Sequence, residues 1–520
     1  MLNPKEARRK KAFPNNLEKI DPSNKDTTLL GRKLTRRDAI GTAGKVAIGA
    51  GVAAVVAAGG TAAYFASRPP LPTQTTTTAG LTTAALTPTV NPADVATQEP
   101  GSRFLIGNIS IVLALEVSTI FDHGAAQAAQ ALGLDYKTID AGGGDPATSV
   151  AAARELISQG AKGILSFAID PTAVPQIARL CQDNKVFYSS WWSIQPFQYP
   201  WNTGPYYLKF GFQDCETDEL TVDTLLFQKL KNAGNASAQV INIQGTANLP
   251  SNAIKNLGIT EAWQKTLPTA SLVAHPYGQW DLATAKGAME DALAIYPNIA
   301  GITTVNDSMT AGAVLGAQDK GKNIGGFATG VDGQTAFMKM MSEGNGLATA
   351  CFSPAYIYGL GLCELYDAIT GAYYPPQKDR LMSTNDLLVV SDVNEAKTLA
   401  QQANFQLPFK VVGAADYYNK VYPNDANSTY PWDWRLMSRG KARELGLQYD
   451  ITGGTGWGGE HSFVDALGSA DVFSEYILDC VNRFANLAAN SVADLSKAPY
   501  APTAASPNVS TYDWYKSNPP

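Results

Sequence analysis

An alternation of strand-like and helix-like segments governs the chain from Phe104 onward. Apolar runs such as "FLIGNISIVLAL", "LDYKTID" and "KGILSFA" are typical of strands, and helical patterns such as "DPATSVAAARELISQG" separate them. The same series restarts at Thr217 with "TDELTVDTLLFQKLKN" and "AQVINIQG". Because strands that alternate with helices form parallel sheets with right-handed crossovers, the pattern predicts an α/β protein. Two successive open sheets predict two lobes, with a cleft between the carboxyl ends of their strands.

A polar tripeptide interrupts the apolar pattern inside the stretch "TTVNDSMTAGAVLGAQ". Asn306 follows the strand-like run "AGITTV" and precedes a helix, so we expect it to face the cleft between the lobes. Asp307 and Ser308 are candidates for the helix N-cap, since their short polar side chains can accept hydrogen bonds from the first N–H groups of a helix. The alternative for Asn306 is that it is itself the cap of this helix.

The N-terminal region carries the features of an export segment. Lys and Arg are concentrated in the first 45 residues, which include "RKLTRRDAIG", and an uncharged run follows at 46–66. The pair Arg36-Arg37 resembles a twin-arginine signal, and the alternative is the basic flank of an ordinary membrane anchor. Under both interpretations the body of the protein is exported. Either the segment is a signal that is cleaved, or it is an anchor that is retained, and both alternatives stay open. The Thr- and Pro-rich residues 67–102 predict an extended linker.

The composition argues against several classes of function. The chain has 46 acidic and 40 basic residues, and the body after the basic N-terminal segment is acidic, so it has no electrostatic reason to bind nucleic acid. The 5 cysteines form no CxxC pair, and twin-arginine cargo folds in a reducing compartment, so we expect mostly buried free thiols.

The 3 histidines are widely spaced and no HExxH or GxSxG motif occurs. A GxGxxG match at Gly454, Gly456 and Gly459 lacks a full βαβ unit around it. We therefore predict no enzyme, no metal and no cofactor, while a Ser-His-Asp arrangement formed only by folding stays open.

A family resemblance rests on an ordered series of segments. They are "DPATSVAAARELISQGAKGILSFAIDPTAVPQIARLCQDNKVFYSS", "VINIQG", "YPNIAGITTVNDSMTAGAVLGAQDKGK" and "GVDG". Through them, residues 104–396 resemble the type I periplasmic sugar-binding proteins, the ribose-binding-protein family of ABC-transporter receptors. The resemblance implies two lobes that close over a ligand, joined by crossing segments near 205–212, 346–353 and 383–392. The predicted organisation is a basic segment at 1–35, a twin-arginine-like signal or anchor at 36–66, a linker at 67–102, a first lobe at 104–207 and 353–396, a second lobe at 208–352 and a C-terminal extension at 397–520.

The resemblance also implies a ligand site. Asn306 matches the Asn of the family that binds a sugar hydroxyl, Asp332 in "GVDG" matches its ligand-binding Asp, and Trp280 in "GQWD" falls at an aromatic position that lines the sugar site. An amide can donate and accept hydrogen bonds, a carboxylate can accept two, and a Trp face suits the C–H-rich side of a sugar ring. The alternatives are a turn residue for Asp332 and a core residue for Trp280.

Departures from the family pattern change the expected ligand. Relatives hold the sugar hydroxyls with charged side chains. This chain has fewer of them at the matching positions and more aromatic side chains, so the resemblance does not imply ribose as the ligand. Glu116 lies near the missing first-loop Asn and Phe, and Ser353 stands at a family Gln. The further candidate ligand-binding residues are therefore Trp191 and Trp192 (at a family Asp-Arg pair), Lys255 (two residues after Ala253, which stands at a family Arg) and Glu116.

The sequence thus predicts an extracytoplasmic substrate-binding protein of an ABC transporter, which binds a sugar or sugar-like molecule and delivers it to a permease. The alternatives are a receptor for a nucleoside or another aromatic-faced ligand, and a secreted enzyme acting on such a ligand. The expected partners are a carbohydrate, a permease and, through the N-terminal segment, the membrane. In the extension, "ADVFSEYILDCVNRFANLA" predicts an amphipathic helix that packs on a lobe.

Overall fold

The computed structural model describes residues 27–29, 32–34, 90–142, 145–167, 172–192, 199–247, 249–384, 387–422, 430–468, 470–489 and 511–517. The chain divides into two compact units, Met1–Thr75 and Thr76–Pro520. In the first unit, strand β1 (Thr27–Leu29) pairs with the antiparallel strand β2 (Arg32–Leu34). The predicted signal or anchor at 36–66 lies outside the described residues. Within the described ranges, no helix is long and apolar enough to cross a membrane.

The second unit contains the strands of two sheets. In chain order they are β3 (Leu105–Ser110), β4 (Asp135–Asp140), β5 (Gly163–Ser166), β6 (Phe187–Trp191), β7 (Tyr207–Phe212), β8 (Gln239–Ile243), β9 (Ser271–Ala274), β10 (Ile299–Thr304), β11 (Ala328–Val331), β12 (Ala348–Cys351), β13 (Leu381–Thr384), β14 (Leu387–Val390), β15 (Lys410–Gly413) and β16 (Glu460–Ser462).

Helices connect and cover these strands. In chain order they are α1 (Pro92–Val95), α2 (Glu116–Leu132), α3 (Pro146–Ser158), α4 (Ala173–Asn184), α5 (Pro200–Thr203), α6 (Cys215–Asn232), α7 (Pro250–Thr266), α8 (Leu282–Ile295), α9 (Asp307–Asp319), α10 (Thr335–Ser342), α11 (Pro354–Ile369), α12 (Val393–Gln402), α13 (Ala414–Val421), α14 (Trp434–Met437), α15 (Arg439–Leu445), α16 (Phe463–Leu467), α17 (Ala470–Ala489) and α18 (Thr511–Ser517). Short 3₁₀ turns lie at Gly325–Phe327 and Gln377–Arg380.

Each lobe is built on one 7-stranded sheet. The strand order is β16-β13-β7-β6-β5-β3-β4 in the first lobe and β15-β14-β12-β11-β10-β8-β9 in the second. Neighbouring strands are parallel except for two pairs, β13 with β16 and β12 with β14. The predicted two-lobed α/β architecture is confirmed.

Local sequence signals explain where the helices begin, end and approach one another. Asp145 caps α3 by accepting from the N–H of Ala147, and Pro146 fills the first helical position. Gly133 ends α2 in the left-handed conformation, with a φ of 77°. Gly124 lets α2 approach α11, since a Cβ there would lie 2.2 Å from the carbonyl oxygen of Ala355.

The chain passes between the two sheets at the predicted places but with shifted boundaries. It leaves the first sheet after β7, returns after β12 and leaves again between β13 and β14. Because β7 belongs to the first sheet, the first lobe extends to Phe212 rather than to 207. Because β14 belongs to the second sheet, the range 353–396 does not lie wholly in the first lobe. An apolar run indicates a strand without showing which sheet it joins, which accounts for both differences.

The predicted C-terminal extension completes both sheets. Strand β15 forms an edge of the second sheet and β16 an edge of the first. Helix α17 contacts both lobes rather than one: the ring of Phe473 lies 5.9 Å from that of Phe210 and 5.2 Å from that of Phe212 in β7. Three residues further along the helix, the hydroxyl of Tyr476 donates to Glu216 Oε2 in α6 at 3.0 Å.

The end of the predicted linker is docked rather than extended. Val95 in α1 is only 7% exposed, and the N–H groups of Thr97 and Gln98 donate to the carbonyl of Ile369 at 2.9 and 3.1 Å. The last carbonyls of a helix have no partner within it, so the end of α11 offers this segment an acceptor. Residues 67–89 lie outside the described part of the chain.

The cysteines agree with the expectation of buried free thiols. Burial raises the pKa of the Cys351 thiol to about 12, so it stays protonated at neutral pH. All five are buried and free: Cys181, Cys215, Cys351, Cys363 and Cys480.

Candidate functional site

A cleft lies between the two lobes, and about 550 Å³ in and around it, open solvent included, is not filled by protein atoms. Its lining side chains come from segments that follow the carboxyl ends of parallel strands, the edge at which open α/β sheets hold ligands. Among the described lining residues, those of the first lobe are all apolar and every polar one belongs to the second lobe. The lining consists of Ile111, Leu115, Val117, Phe167 and Trp192 from the first lobe, and of Leu249, Ser251, Trp280, Asn306 and Asp332 from the second.

Asn306 lines this cleft and also caps helix α9. Its Oδ1 accepts from the N–H of Met309 at 2.9 Å, and its Nδ2 donates to the carbonyl of Trp280 at 3.3 Å. The side chain is therefore held at both ends, and Asn306 is only 2% exposed. The prediction that Asp307 or Ser308 caps the helix is wrong, because the cap position belongs to the last residue before the helical turn.

Asp307 instead ties α9 to the segment that carries Asp332. Its fully buried carboxylate accepts from the N–H groups of Gly333 and Gln334 at 2.8 and 2.9 Å. It also accepts from the hydroxyl of Thr349 in β12 at 3.0 Å. These bonds fix the loop between β11 and α10, from which Asp332 reaches the cleft with a φ of 100°.

Lys255 and Asp332 form a buried ion pair at the cleft. Lys255 Nζ lies 2.7 Å from Asp332 Oδ1 and donates to the carbonyl of Val305 at 2.8 Å, and its side chain is 0% exposed. Burial alone would lower the pKa of Lys255, but the attraction and hydrogen bond of Asp332 together with the attraction of Cys215 and Glu219 outweigh it and raise this pKa. The ammonium also lies 4.8 Å from the ring centroid of Trp192 and 5.6 Å from that of Trp280, within cation–π range.

The tryptophans divide between cleft and core. Trp280 packs flat against Gly245, where a Cβ would lie 2.2 Å from its ring, and Trp192 contacts Phe352 at a ring distance of 5.1 Å. Trp191 does not reach the cleft: it is 1% exposed and belongs to the hydrophobic core of the first lobe. Since successive residues of a strand point to opposite faces, the side chains of two adjacent tryptophans at the end of β6 separate.

Glu116 stands in the chain between the lining residues Leu115 and Val117 and joins the two lobes. Its Oε1 accepts from the N–H of Thr335 at 2.8 Å, and its Oε2 accepts from the hydroxyl of Ser308 at 2.9 Å. Both partners stand at N-termini of second-lobe helices, where a carboxylate is electrostatically favoured. Ser353, which stands at the family Gln, lies in the crossing segment after β12 and bonds to the hydroxyl of Tyr417, and it is not among the lining residues.

The structure thus brings Asn306, Asp332, Trp280 and Trp192 to one cleft, with Lys255 directly behind Asp332. The sequence analysis did not single out the apolar lining residues of the first lobe. They lie in segments that follow strand ends, and that location could have identified them as cleft residues. In the part of the chain that the structure describes, no group of three His, Cys, Asp or Glu side chains could hold a metal ion.

Comparison with known proteins agrees with this architecture. Residues 116–372 match the model of the periplasmic binding protein domain. Over 135 residues, 26% of the chain, the sequence is 32% identical to the D-allose-binding periplasmic protein of Escherichia coli (strain K12). The chain spans only 43% of the length of that curated relative.

A solved structure shows the same fold. The twin-arginine translocation pathway signal protein from Burkholderia phytofirmans superposes with a TM-score of 0.50 at 20% sequence identity. The match covers 63% of this chain and 99% of that one. Residues 116–372 therefore match a periplasmic binding protein domain, and the described part of the chain shares the fold of that solved structure.

Proposed function

We propose that the protein is the extracytoplasmic substrate-binding protein of an ABC transporter, which binds a sugar or sugar-like molecule in the cleft and delivers it to a permease. The observation that carries this proposal is the set of polar side chains at strand ends, Asn306 and Asp332, beside the face of Trp280. The similarity to a D-allose-binding protein supports a carbohydrate as the ligand. The protein acts outside the cytoplasm, either held at the membrane by its N-terminal segment or released from it.

Each of these side chains has a distinct role in the proposed site. Asp332 accepts hydrogen bonds from ligand hydroxyls, since Lys255 occupies only one of its oxygens. Asn306 supplies its second amide hydrogen, because the first is used by the carbonyl of Trp280. The ring of Trp280 covers the C–H face of the sugar, and Glu116 stabilises the closed arrangement of the lobes.

Thermal denaturation of the purified protein with a panel of sugars and adenosine tests the proposal. A ligand at about 100 times its Kd adds about 2.7 kcal/mol to the free energy of unfolding. The ligand recovered afterwards should be chemically unchanged by NMR. Asp332→Asn should reduce the stabilisation, and the matched change Asp319→Asn on the exposed surface should not.

The alternatives give different results in the same experiment. Conversion of the ligand would identify an enzyme, and stabilisation by adenosine without any response to free sugars would favour a nucleoside receptor. Absence of a response to every compound would contradict a binding function for the cleft.

A further inference from the structure

The two sides of the cleft differ sharply in polarity. Among the described residues, every side chain that the first lobe places there is apolar, and the three polar lining side chains all belong to the second lobe. Apart from Glu116, whose carboxylate is bonded to the second lobe, the only side-chain hydrogen-bonding group among the described first-lobe residues at the cleft is the indole Nε1 of Trp192, a buried atom without a partner in the described part of the chain. An indole N–H can only donate a hydrogen bond. The described first-lobe side chains that line the cleft can therefore bond one acceptor atom of a ligand, but they offer no acceptor for a ligand hydroxyl proton.

The apolar side is also rigidly built. The ring of Phe167 makes an edge contact with Phe121 at 5.1 Å and lies 6.4 Å from the ring of Trp192. Phe121 in turn stacks on Tyr358 at 4.3 Å. Aromatic groups packed in this way keep their positions, so these described side chains present a fixed apolar surface to a ligand.

The polar side of the cleft carries no net charge. The carboxylate of Asp332 is neutralised by Lys255 at 2.7 Å, and the other polar lining side chains, Ser251 and Asn306, are neutral. A charged ligand would leave its own charge uncompensated in a site from which water is excluded, which is strongly unfavourable. The site is therefore suited to an uncharged molecule.

A free monosaccharide fits only half of this cleft. Hydroxyl groups surround its ring, and those that face the first lobe would be buried without partners. Each unpaired group lowers affinity by about 5- to 150-fold. A ligand that matches both sides has hydroxyl groups at one end and an apolar surface at the other.

We propose, building on the proposed sugar-binding function, that the cleft selects neutral glycosides with an apolar or aromatic aglycone. The sugar hydroxyls face Asp332 and Asn306 in the second lobe, and the aglycone lies against Leu115, Phe167 and Trp192 in the first. Burial of a ring the size of a phenyl group should make such a glycoside bind about 10- to 150-fold more tightly than the free sugar.

Titration calorimetry on the full chain with matched pairs tests this preference. The pairs are D-allose with phenyl β-D-allopyranoside and D-glucose with phenyl β-D-glucopyranoside. We expect the glycoside to bind at least 10-fold more tightly in the pair that is recognised. A free sugar that binds as tightly as its glycoside overturns the inference and leaves the proposed function intact. Absence of binding by every compound overturns the proposed function and the inference with it.

Two matched variants locate the aglycone. Leu115 and Leu249 both occupy helix N-cap positions without a side-chain cap bond, one in each lobe, so Ser at either site supplies a cap and the fold should tolerate it. Leu115→Ser should lower the ratio of glycoside to free-sugar affinity by at least 3-fold. Leu249→Ser should leave this ratio unchanged. The reverse pattern would place the aglycone on the second lobe and refute the assignment.

Discussion

Replacement of Lys255 by Met should destabilise the protein because it leaves a buried carboxylate without its counter-ion. Lys255 is 0% exposed and its Nζ lies 2.7 Å from Asp332 Oδ1, while the main chain of Val305 accepts a second bond at 2.8 Å. Met has a similar volume and no charge, so the change removes both bonds without opening a large cavity.

The expected loss is about 3–5 kcal/mol in the free energy of unfolding, the usual effect of removing one partner of a buried ion pair. Asp332 can escape part of this penalty by taking up a proton, and burial already raises its pKa. The destabilisation should therefore be smaller at pH 5 than at pH 8. Urea unfolding followed by both tryptophan fluorescence and far-ultraviolet circular dichroism measures it.

A second variant and a control separate charge from packing. Lys255→Met combined with Asp332→Asn removes both charges and should cost clearly less than the sum of the single changes, since contacting residues couple. Lys265→Met, on the exposed side of the same helix, removes only a surface ion pair and should cost less than about 1 kcal/mol. A loss below 1 kcal/mol for Lys255→Met, or a penalty that does not shrink at low pH, would refute this account.

Three further changes test other features of the structure. Burial raises the pKa of Asp223 from 3.8 to about 7, so the stability that this group contributes is present at low pH and is lost as pH rises through 7. Asp223→Asn should therefore flatten the pH profile of urea unfolding, gaining up to about 4 kcal/mol at pH 8. Asn306→Ala should lower the free energy of unfolding by about 1 kcal/mol through the lost cap and weaken ligand binding about 5- to 150-fold. Asn306→Asp should keep the cap. If the Ala variant binds the ligand as tightly as the parent, Asn306 does not belong to the site. Glu116→Gln should weaken the bonds to Thr335 and Ser308, so small-angle scattering of the ligand-free protein should give a larger radius of gyration, and an unchanged radius would contradict a role in closure.

The fold was largely predictable because alternation of strand and helix leaves few topologies. The sequence predicts the strands and helices of both lobes from hydrophobic periodicity, and Pro146 and Gly133 act at helix ends as expected. The resemblance placed a crossing near 383–392, but the predicted lobe boundary still left β14 in the first lobe, since the apolar residues of a four-residue strand do not show which strand it pairs with. The same limit applies to β15 and β16, which join sheets formed by distant parts of the chain.

The candidate site was predictable in position and less so in detail. Asn306 and Asp332 lie just after strand ends and Trp280 lies in the loop after β9, and these positions at the carboxyl ends of strands bring all three to the cleft. The separation of Trp191 from Trp192 depends on which face of β6 each side chain takes at the strand end. The bonds of Glu116 to the second lobe depend on how the two lobes are arranged, and a local sequence pattern does not predict that arrangement.

The edge strands contributed by the C-terminal segment bear on how this protein folds. The first sheet draws on β3 to β7, on β13 and on β16 at residues 460–462, and the second sheet includes β15 at 410–413. Neither sheet is therefore complete until most of the chain has been synthesised. Contacts between segments so far apart in sequence slow folding, because long loops must close before the pairings form. Before that point each sheet presents an unpaired strand edge, the kind of surface that invites aggregation and that chaperones protect.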